Sequence, residues 1–406
     1  MDTIIGSLGN DILQSAGNTM LFGLDGNDII LATGSDNSLF GGAGNDYFDA
    51  AQLYNSLLDG GIGDDRIIPS DVTANGGSNI LVLGGDGDDV INNIFSESIV
   101  DAGNGNDVIY NNQVVAIIDA GDGNDIIRNN SAGEYSSIIG GTGHDSILNY
   151  AHHTIIEGND GADVIFNVGA SDVFISGDKD NDFIQNDHSY VYIDAGAGND
   201  IIRNSTTGNY SSLVGGTGAD TILNYAYYST IRGNAGSDYI INFGADDVYV
   251  FGGAGDDIIT EMVAGAHYGV SIAGGTGNDL INLEGGEETV IYNLGDGNDT
   301  IVGFNDYTYI SGDFDDYSLE QNGNNVIMHF DGGSMTLVDV VITEDGSNQL
   351  SAILDNNNTD PLEEIISVGN VDNSTAIDDH VNYQSAFQPF LNAAADKVTS
   401  AKRRHS

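Results

Sequence analysis

The sequence predicts an all-β fold: a right-handed parallel β-roll, or β-solenoid, of about sixteen coils, with a C-terminal antiparallel β cap and a short tail. Three observations predict it. A glycine-rich turn ending in Asp recurs along residues 1–302. Apolar residues stand at fixed distances on both sides of that Asp. The copies are mostly 18 to 20 residues apart, the length of two short strands and two turns. No such unit buries its apolar face alone, so successive units must stack and share ladder hydrogen bonds.

Aligned on the Asp, sixteen copies appear: Asp11, Asp28, Asp46, Asp65, Asp89, Asp107, Asp125, Asp145, Asp163, Asp182, Asp200, Asp220, Asp238, Asp257, Asp279 and Asp299. The spacing opens at 17 and widens to 24 and 22 in two coils. Gly stands two residues before the Asp in 15 of 16 copies, Asp180 being the exception. Two residues after it come Leu13, Ile30 and Phe48, then Ile in every copy from Ile67 to Ile301. Seven residues before it the side chain is always apolar or aromatic, from Ile4, Leu21 and Leu39 to Ile272 and Tyr292. These two columns define the two strands of each coil and their inward faces. The other turn varies and absorbs the length changes, as in the segment from Pro69 to Asn79. A longer period of 75 residues relates the segment from Asn124 to that from Asn199, a duplicated block of four coils. His152 and His153 in the first block correspond to Tyr227 and Tyr228 in the second.

Composition narrows the function. The chain has 62 acidic against 9 basic residues and a formal charge of −53. That balance argues against nucleic acid, whose phosphates require Lys and Arg. An apolar content of 40% is enough for a core, so the chain is not merely an acidic disordered tail. Without Cys there is neither a disulfide framework nor a thiolate metal site. The N-terminus lacks the basic and apolar regions of a Sec-type signal peptide. No apolar run approaches the ~18–20 residues of a membrane span. The repeat begins by the fourth residue with no N-terminal cap, the pattern expected of a fragment or of a roll that follows another domain.

The turn itself carries chemistry. Glycine permits φ > 0 and leaves carbonyl oxygens uncovered. Asp supplies a hard, anionic oxygen. Carbonyls and carboxylates are the donors of Ca²⁺, which takes six to eight oxygens in flexible geometry. One turn offers too few, and two turns stacked one coil apart close a site between them. Sixteen motif turns on one edge therefore make up to fifteen sites in single file. Fifteen divalent ions would bring the charge from −53 to about −23. Without them the carboxylates would crowd and repel, so the metal-free roll is expected to be largely unfolded.

The segments "GGTGNDLIN", "GDGNDIIRN" and "GAGNDIIRN" resemble the nonapeptide G-G-x-G-x-D-x-U-x of RTX, or haemolysin-type calcium-binding, proteins. The resemblance covers residues 4 to 302, and sixteen copies in register make it specific. It implies that the sixteen motif Asp residues are Ca²⁺ ligands. It also implies that carbonyls of turn glycines help them, among them Gly41, Gly84, Gly140, Gly215, Gly252 and Gly274. It further implies a bacterial protein exported unfolded by type I secretion machinery and folded by extracellular calcium. The alternate turn is degenerate here, as in "GASD" at Gly169 to Asp172 and "GADD" at Gly244 to Asp247, so Ca²⁺ is expected mainly along one edge. Asn159, Asp178 and Asn234 replace the second turn glycine and weaken the case for their copies.

Other patterns read more simply. Nine Asn residues stand four after the motif Asp in an unbroken run: Asn93, Asn111, Asn129, Asn149, Asn167, Asn186, Asn204, Asn224 and Asn242. They are expected to form a side-chain amide ladder; the alternative is a ligand surface. An ice-binding row would need Thr between the turn glycines. That column holds Thr only at Thr142, Thr217 and Thr276, so ice binding is not the leading reading. There is no phosphate loop, and "DKDND" at Asp178 to Asp182 lacks the later residues of an EF-hand. No zinc-protease or nucleophile-elbow signature occurs, so no catalytic residue is assigned.

After Ile301 the pattern changes. Tyr317 to Val340 shows β-type runs separated by "NGNN" and "DGG", expected to form an antiparallel meander over the end of the roll. Residues 303–354 are assigned to this cap. Residues 355–406 are assigned to a linker and a tail, which the resemblance places where RTX proteins carry a secretion signal. The sequence is thus read as an extracellular or cell-surface Ca²⁺-folded spacer or scaffold, not an enzyme and without a membrane span. The alternatives are a calcium-dependent adhesin for glycan or protein, with Tyr135, Tyr210, Tyr227 and Tyr228 as contacts, and the C-terminal part of a larger RTX toxin or enzyme.

Overall fold

A computed structural model describes residues 2–70, 77–262, 268–284, 287–304, 308–312 and 317–340. The linker and tail, and the last part of the assigned cap, lie outside the described residues.

Each coil is built from two short strands whose side chains alternate in and out. The coil around Asp145 serves as the example. Ser137–Thr142 leads into the motif turn with Ile138 and Gly140 inward. Ser146–Asn149 leads out with Ile147 and Asn149 inward. Stacking is parallel and in register: Ile118 pairs with Ile138 and Ile138 with Ile156. On the other side Ile127 pairs with Ile147 and Ile147 with Ile165. The strands before the turns form a 17-stranded sheet, and those after them form most of a 20-stranded sheet. Among the described residues there is no helix.

The columns seven before and two after the motif Asp are the core. Leu21, Leu39, Ile118, Ile138, Ile156, Ile175 and Val250 face Ile30, Phe48, Ile127, Ile147, Ile165, Ile184 and Ile259, all buried in one continuous cluster. β-branched residues suit these positions because they fit a pleated surface packed on the adjacent rungs.

The nine Asn form the predicted ladder. The Nδ2 of Asn93 donates to Oδ1 of Asn111, and the relay continues through Asn129, Asn149, Asn167, Asn186, Asn204 and Asn224 to Asn242 at 2.7–3.0 Å. All nine are buried. An amide supplies both a donor and an acceptor, which is why one residue type can repeat indefinitely along such a column.

The alternate turn is shaped by a column of residues at positive φ: Glu97, Val115, Tyr135, His153, Asp172, Tyr190, Tyr210, Tyr228 and Asp247, between 51° and 60°. Aromatic side chains there stack along the roll. Tyr190 and Tyr210 lie 5.2 Å apart, Tyr210 and Tyr228 4.7 Å, and Tyr135 and His153 4.7 Å. The duplicated block repeats its outer contacts as well: Arg128 lies over Tyr150, and Arg203 over Tyr225.

At the C-terminal end the meander forms as expected. Ser318–Asn322, Asn325–Phe330 and Gly333–Leu337 pair antiparallel in sequence. Gly333–Leu337 then adds parallel to Asn298–Val302, so the cap grows directly from the last rung of one sheet. Val326, Met328, Met335 and Leu337 are buried against the core, and Phe330 stacks on Tyr292 at 4.6 Å.

The amide ladder gives a direct test. Asn167→Ala removes both ladder bonds of that rung, while Asn149 Nδ2 keeps the Ala151 carbonyl and Asn186 Oδ1 keeps the His188 N–H. A lost hydrogen bond costs roughly 0.5–1.5 kcal/mol net. Urea unfolding in saturating Ca²⁺ should therefore show a loss on the order of 1–3 kcal/mol, while Asn92→Ala on the outer face should change little.

Candidate calcium-binding edge

The motif turns are joined by a relay that runs the length of the roll. The backbone N–H of each motif Asp donates to Oδ1 of the motif Asp one coil on. Asp11 donates to Asp28 at 2.7 Å, Asp28 to Asp46 at 2.7 Å, and so on without interruption to Asp279 and Asp299 at 3.0 Å. A second relay runs the opposite way just outside it. In most copies the residue before the Asp accepts, on its side chain, the N–H of its counterpart one coil on: Asn27 donates to Asn10, Asn45 to Asn27, and Asn124 to Asn106, each at 3.0 Å, while Ala162 and Ala219 interrupt this relay. The two relays lock adjacent turns in register.

The inner relay uses only one oxygen of each carboxylate. The other, Oδ2, is buried and has no hydrogen-bond partner in Asp28, Asp46, Asp65, Asp89, Asp107, Asp125, Asp145, Asp163, Asp182, Asp200, Asp220, Asp238, Asp257 and Asp279. Each of these residues is at most 2% exposed. An unpaired buried polar atom costs about 1–3 kcal/mol, and more when charged. Fourteen of them would match or exceed the roughly 5–15 kcal/mol by which a folded domain is stable. Each charge in the column therefore has to be answered, by a bound cation or by a proton.

The surroundings of Oδ2 supply oxygens and little else. A Cβ built on Gly41 would lie 2.2 Å from Oδ2 of Asp46 and 2.5 Å from the carbonyl oxygen of Gly60 in the next coil. Gly84 and Gly252 stand the same way against Asp89 and Asp257, each with a carbonyl oxygen of the next coil beside it. A Cβ built on Gly140, Gly215 or Gly274 would lie 2.4, 2.4 or 2.2 Å from Oδ2 of its own motif Asp. Among the described residues no three Asp, Glu, His or Cys side chains converge on one point. A cation on this edge would thus be held by Asp oxygens from adjacent coils together with main-chain carbonyls. That donor set suits Ca²⁺.

Electrostatics agree. Burial, the largest cause, pushes the Asp carboxyls up: to about 6 for Asp46, Asp125, Asp145, Asp163, Asp200 and Asp279. It pushes Asp65, Asp107, Asp220, Asp257 and Asp299 to about 7, and Asp89 and Asp182 to about 8. Donation from the preceding Asp N–H opposes this, and in most of them neighbouring carboxylates reinforce it.

The two ends differ from the interior. Oδ2 of Asp11 is not orphaned: it accepts from the backbone N and the hydroxyl of Ser7 at 2.5 and 2.8 Å. Before Asp299, Leu294 stands where other copies have Gly or Ala, and the Tyr292 hydroxyl donates to the Gly297 carbonyl at 2.9 Å. The substituted copies keep the geometry. Asn159, Asp178 and Asn234 adopt φ of 74–76° where Gly42 and its glycine counterparts sit between 95° and 122°. Asp163, Asp182 and Asp238 still make their relay bonds and keep an orphaned Oδ2. Leu24 occupies the same position at φ 86°, a conformation that is strained for its side chain.

The family pattern described as the RTX calcium-binding nonapeptide repeat, in four copies, matches residues 1–18, 15–48, 22–55, 214–242 and 244–260. The chain carries RTX calcium-binding repeats on a parallel β-solenoid. No curated protein matches it. Among solved structures, it is similar to a hyperactive, Ca²⁺-dependent, β-helical antifreeze protein from an Antarctic bacterium. That match has 22% identity and a TM-score of 0.45, over 66% of this chain and 83% of the other. It is also similar to the extracellular lipase LipA from Serratia marcescens, at 17% identity and a TM-score of 0.26, over 51% of this chain and 39% of the other. Neither likeness is close enough to carry a function across.

The raised carboxyl pKa values fix a pH dependence for the metal-free chain. These groups hold protons more tightly in the roll than in the unfolded chain, so protonation favours the roll. Their contribution is complete below the ordinary Asp value near 4 and is lost as pH rises through about 6 to 8. In EDTA, β structure measured by far-UV circular dichroism should be greatest near pH 4 and fall across that range. A β signal that grows with pH in EDTA would contradict the assignment.

Proposed function

We propose that the chain is an extracellular RTX roll that folds on binding Ca²⁺ and acts as a spacer or scaffold. The observation that carries this reading is the column of fourteen buried Asp oxygens without partners. Bound Ca²⁺ supplies the positive charge those oxygens lack. The chain's own residues do the rest. The Asp-to-Asp relay fixes one carboxylate oxygen and aims the other, the turn glycines bring carbonyls close, and the Ile columns and amide ladder fix the rise between successive turns. Folding and binding are then one event, because no turn forms its half of a site until the next coil stacks on it.

The affinity expected of extracellular Ca²⁺ modules, roughly 10⁻⁴–10⁻³ M, would leave the roll open in a cell interior and closed outside. Export through type I secretion machinery fits such a chain. The role proposed is structural; among the described residues, His152 contacts Ser171 and His144 accepts the N–H of Ala162. Ice binding is not favoured, since only three Thr occupy the sixteen positions between the turn glycines. The stacked tyrosines do not favour an adhesin either. Tyr190, Tyr210 and Tyr228 lie nearly parallel and cover one another's ring faces, so they offer edges and hydroxyls in place of a flat platform for a sugar.

Far-UV circular dichroism should change from coil to β as Ca²⁺ rises into the millimolar range, cooperatively, and EDTA should reverse it. Asp163→Asn should shift the Ca²⁺ midpoint upward several-fold, whereas Asp160→Asn, on the exposed side of the same turn, should leave it nearly unchanged. A roll that forms fully at neutral pH in EDTA would overturn the proposal.

A further inference from the structure

The amide ladder ends abruptly. Below Asn242 the next inward position is Glu261, and the one after that is Leu283. Asn242 donates its Nδ2 to Oε2 of Glu261 at 2.8 Å. The other oxygen, Oε1, has no partner, and Glu261 is 1% exposed. One coil on, Glu288 is also 1% exposed, with its own Oε1 unpartnered. Its Oε2 accepts from the Thr308 hydroxyl at 3.4 Å.

The positions of these two glutamates are informative. Glu288 belongs to the column that holds Ser136 and Ser211 in earlier coils, each just before a strand residue in the continuous register Ser137, Ile155, Phe174, Tyr192, Ser212, Thr230, Tyr249, Ser271 and Thr289. In those coils the ladder amide reaches one coil on to the column's hydroxyl. Asn111 Nδ2 donates to Ser136 Oγ at 3.2 Å, and Asn186 Nδ2 to Ser211 Oγ at 3.5 Å. Glu261 and Glu288 stand in that same relation. Where the ladder has a donor meeting a hydroxyl, this coil sets a carboxylate toward a carboxylate. Among the described residues, the charges that act on Glu261 are Glu288 and Asp246, both negative. A single shared proton would neutralise one of these charges; a divalent cation neutralises two.

We propose that Glu261 and Glu288 form a second cation site, on the edge of the roll opposite the Asp column, for a hard divalent ion such as Ca²⁺. The donors are oxygens only: the two free carboxylate oxygens, with the Thr308 hydroxyl beside them. Such a site pins the last coils before the antiparallel cap, where the amide ladder no longer does so. It does not depend on the proposal for the Asp edge.

Native mass spectrometry of the full chain in excess Ca²⁺ tests this by counting ions. Glu261→Gln should bind one ion fewer than the unaltered chain while keeping its β circular dichroism, and Glu288→Gln should do the same. Crystals soaked with Tb³⁺ should show an anomalous peak between Glu261 and Glu288 that Glu261→Gln removes, with the peaks along the Asp edge unchanged. An unchanged ion count in both variants, with no peak at this corner of the unaltered chain, would overturn the proposal and leave a shared proton as the neutralising partner. Failure of the Asp-edge reading would register separately, as missing peaks on the other edge.

Discussion

The structure depends on one unresolved charge. Each motif Asp from Asp28 to Asp279 receives a backbone N–H from its neighbour on one oxygen and buries the other with nothing to meet it. Repeated over fourteen rungs, this matches or outweighs what apolar burial and hydrogen bonding leave as net stability. The one Lys or Arg inside a motif turn, Lys179, is exposed and pairs with Asp160 on the outer side of the edge, not with the buried carboxylates. The fold is therefore conditional. Its apolar columns and amide ladder are complete in themselves, and its acidic edge is not.

That division of labour explains the composition. The Ile columns set shape and rise, since identical β-branched residues stack on themselves without change of register. The Asn column satisfies the corner of the alternate turn without charge, because an amide gives and receives in the same direction at every step. The Asp column cannot do the same: a carboxylate has no donor to pass on, so the backbone must supply one, and one oxygen is left over. Replacing an amide by a carboxylate at the end of the Asn column recreates the same shortfall at Glu261.

Much of this was legible in the sequence because a roll repeats its geometry with its motif. The columns at seven before and two after the Asp predicted the two inward faces, and Leu39, Ile138, Phe48 and Ile147 are buried as that pattern requires. The amide ladder and the antiparallel meander were legible for the same reason. What was not legible lies between coils. Nothing in one nonapeptide says that the N–H of Asp145 will take one oxygen of Asp163, or that Asn124 will hold the turn of His144 by accepting its N–H. The recurring "GND" was the available signal for the second relay. Ala102, Ala120 and Ala195 occupy the position of Gly41 and its counterparts, so the first turn glycine is less strictly required than the motif suggests. Tyr210 and Tyr228, named from the sequence as contacts of an adhesin, are half-exposed, and the stacking of coils sets their ring faces toward each other.

The central claim is that the acidic edge is completed by divalent cations, and metal content measures it most directly. The chain should be folded and gel-filtered in a buffer of fixed millimolar Ca²⁺, and the ion it carries in excess of that buffer measured by inductively coupled plasma mass spectrometry alongside hydrogen exchange. The account predicts about one retained ion for each adjacent pair of motif coils, with amide protection along the whole edge that disappears when the ions are removed. A fully protected roll holding no stoichiometric metal at neutral pH would contradict it.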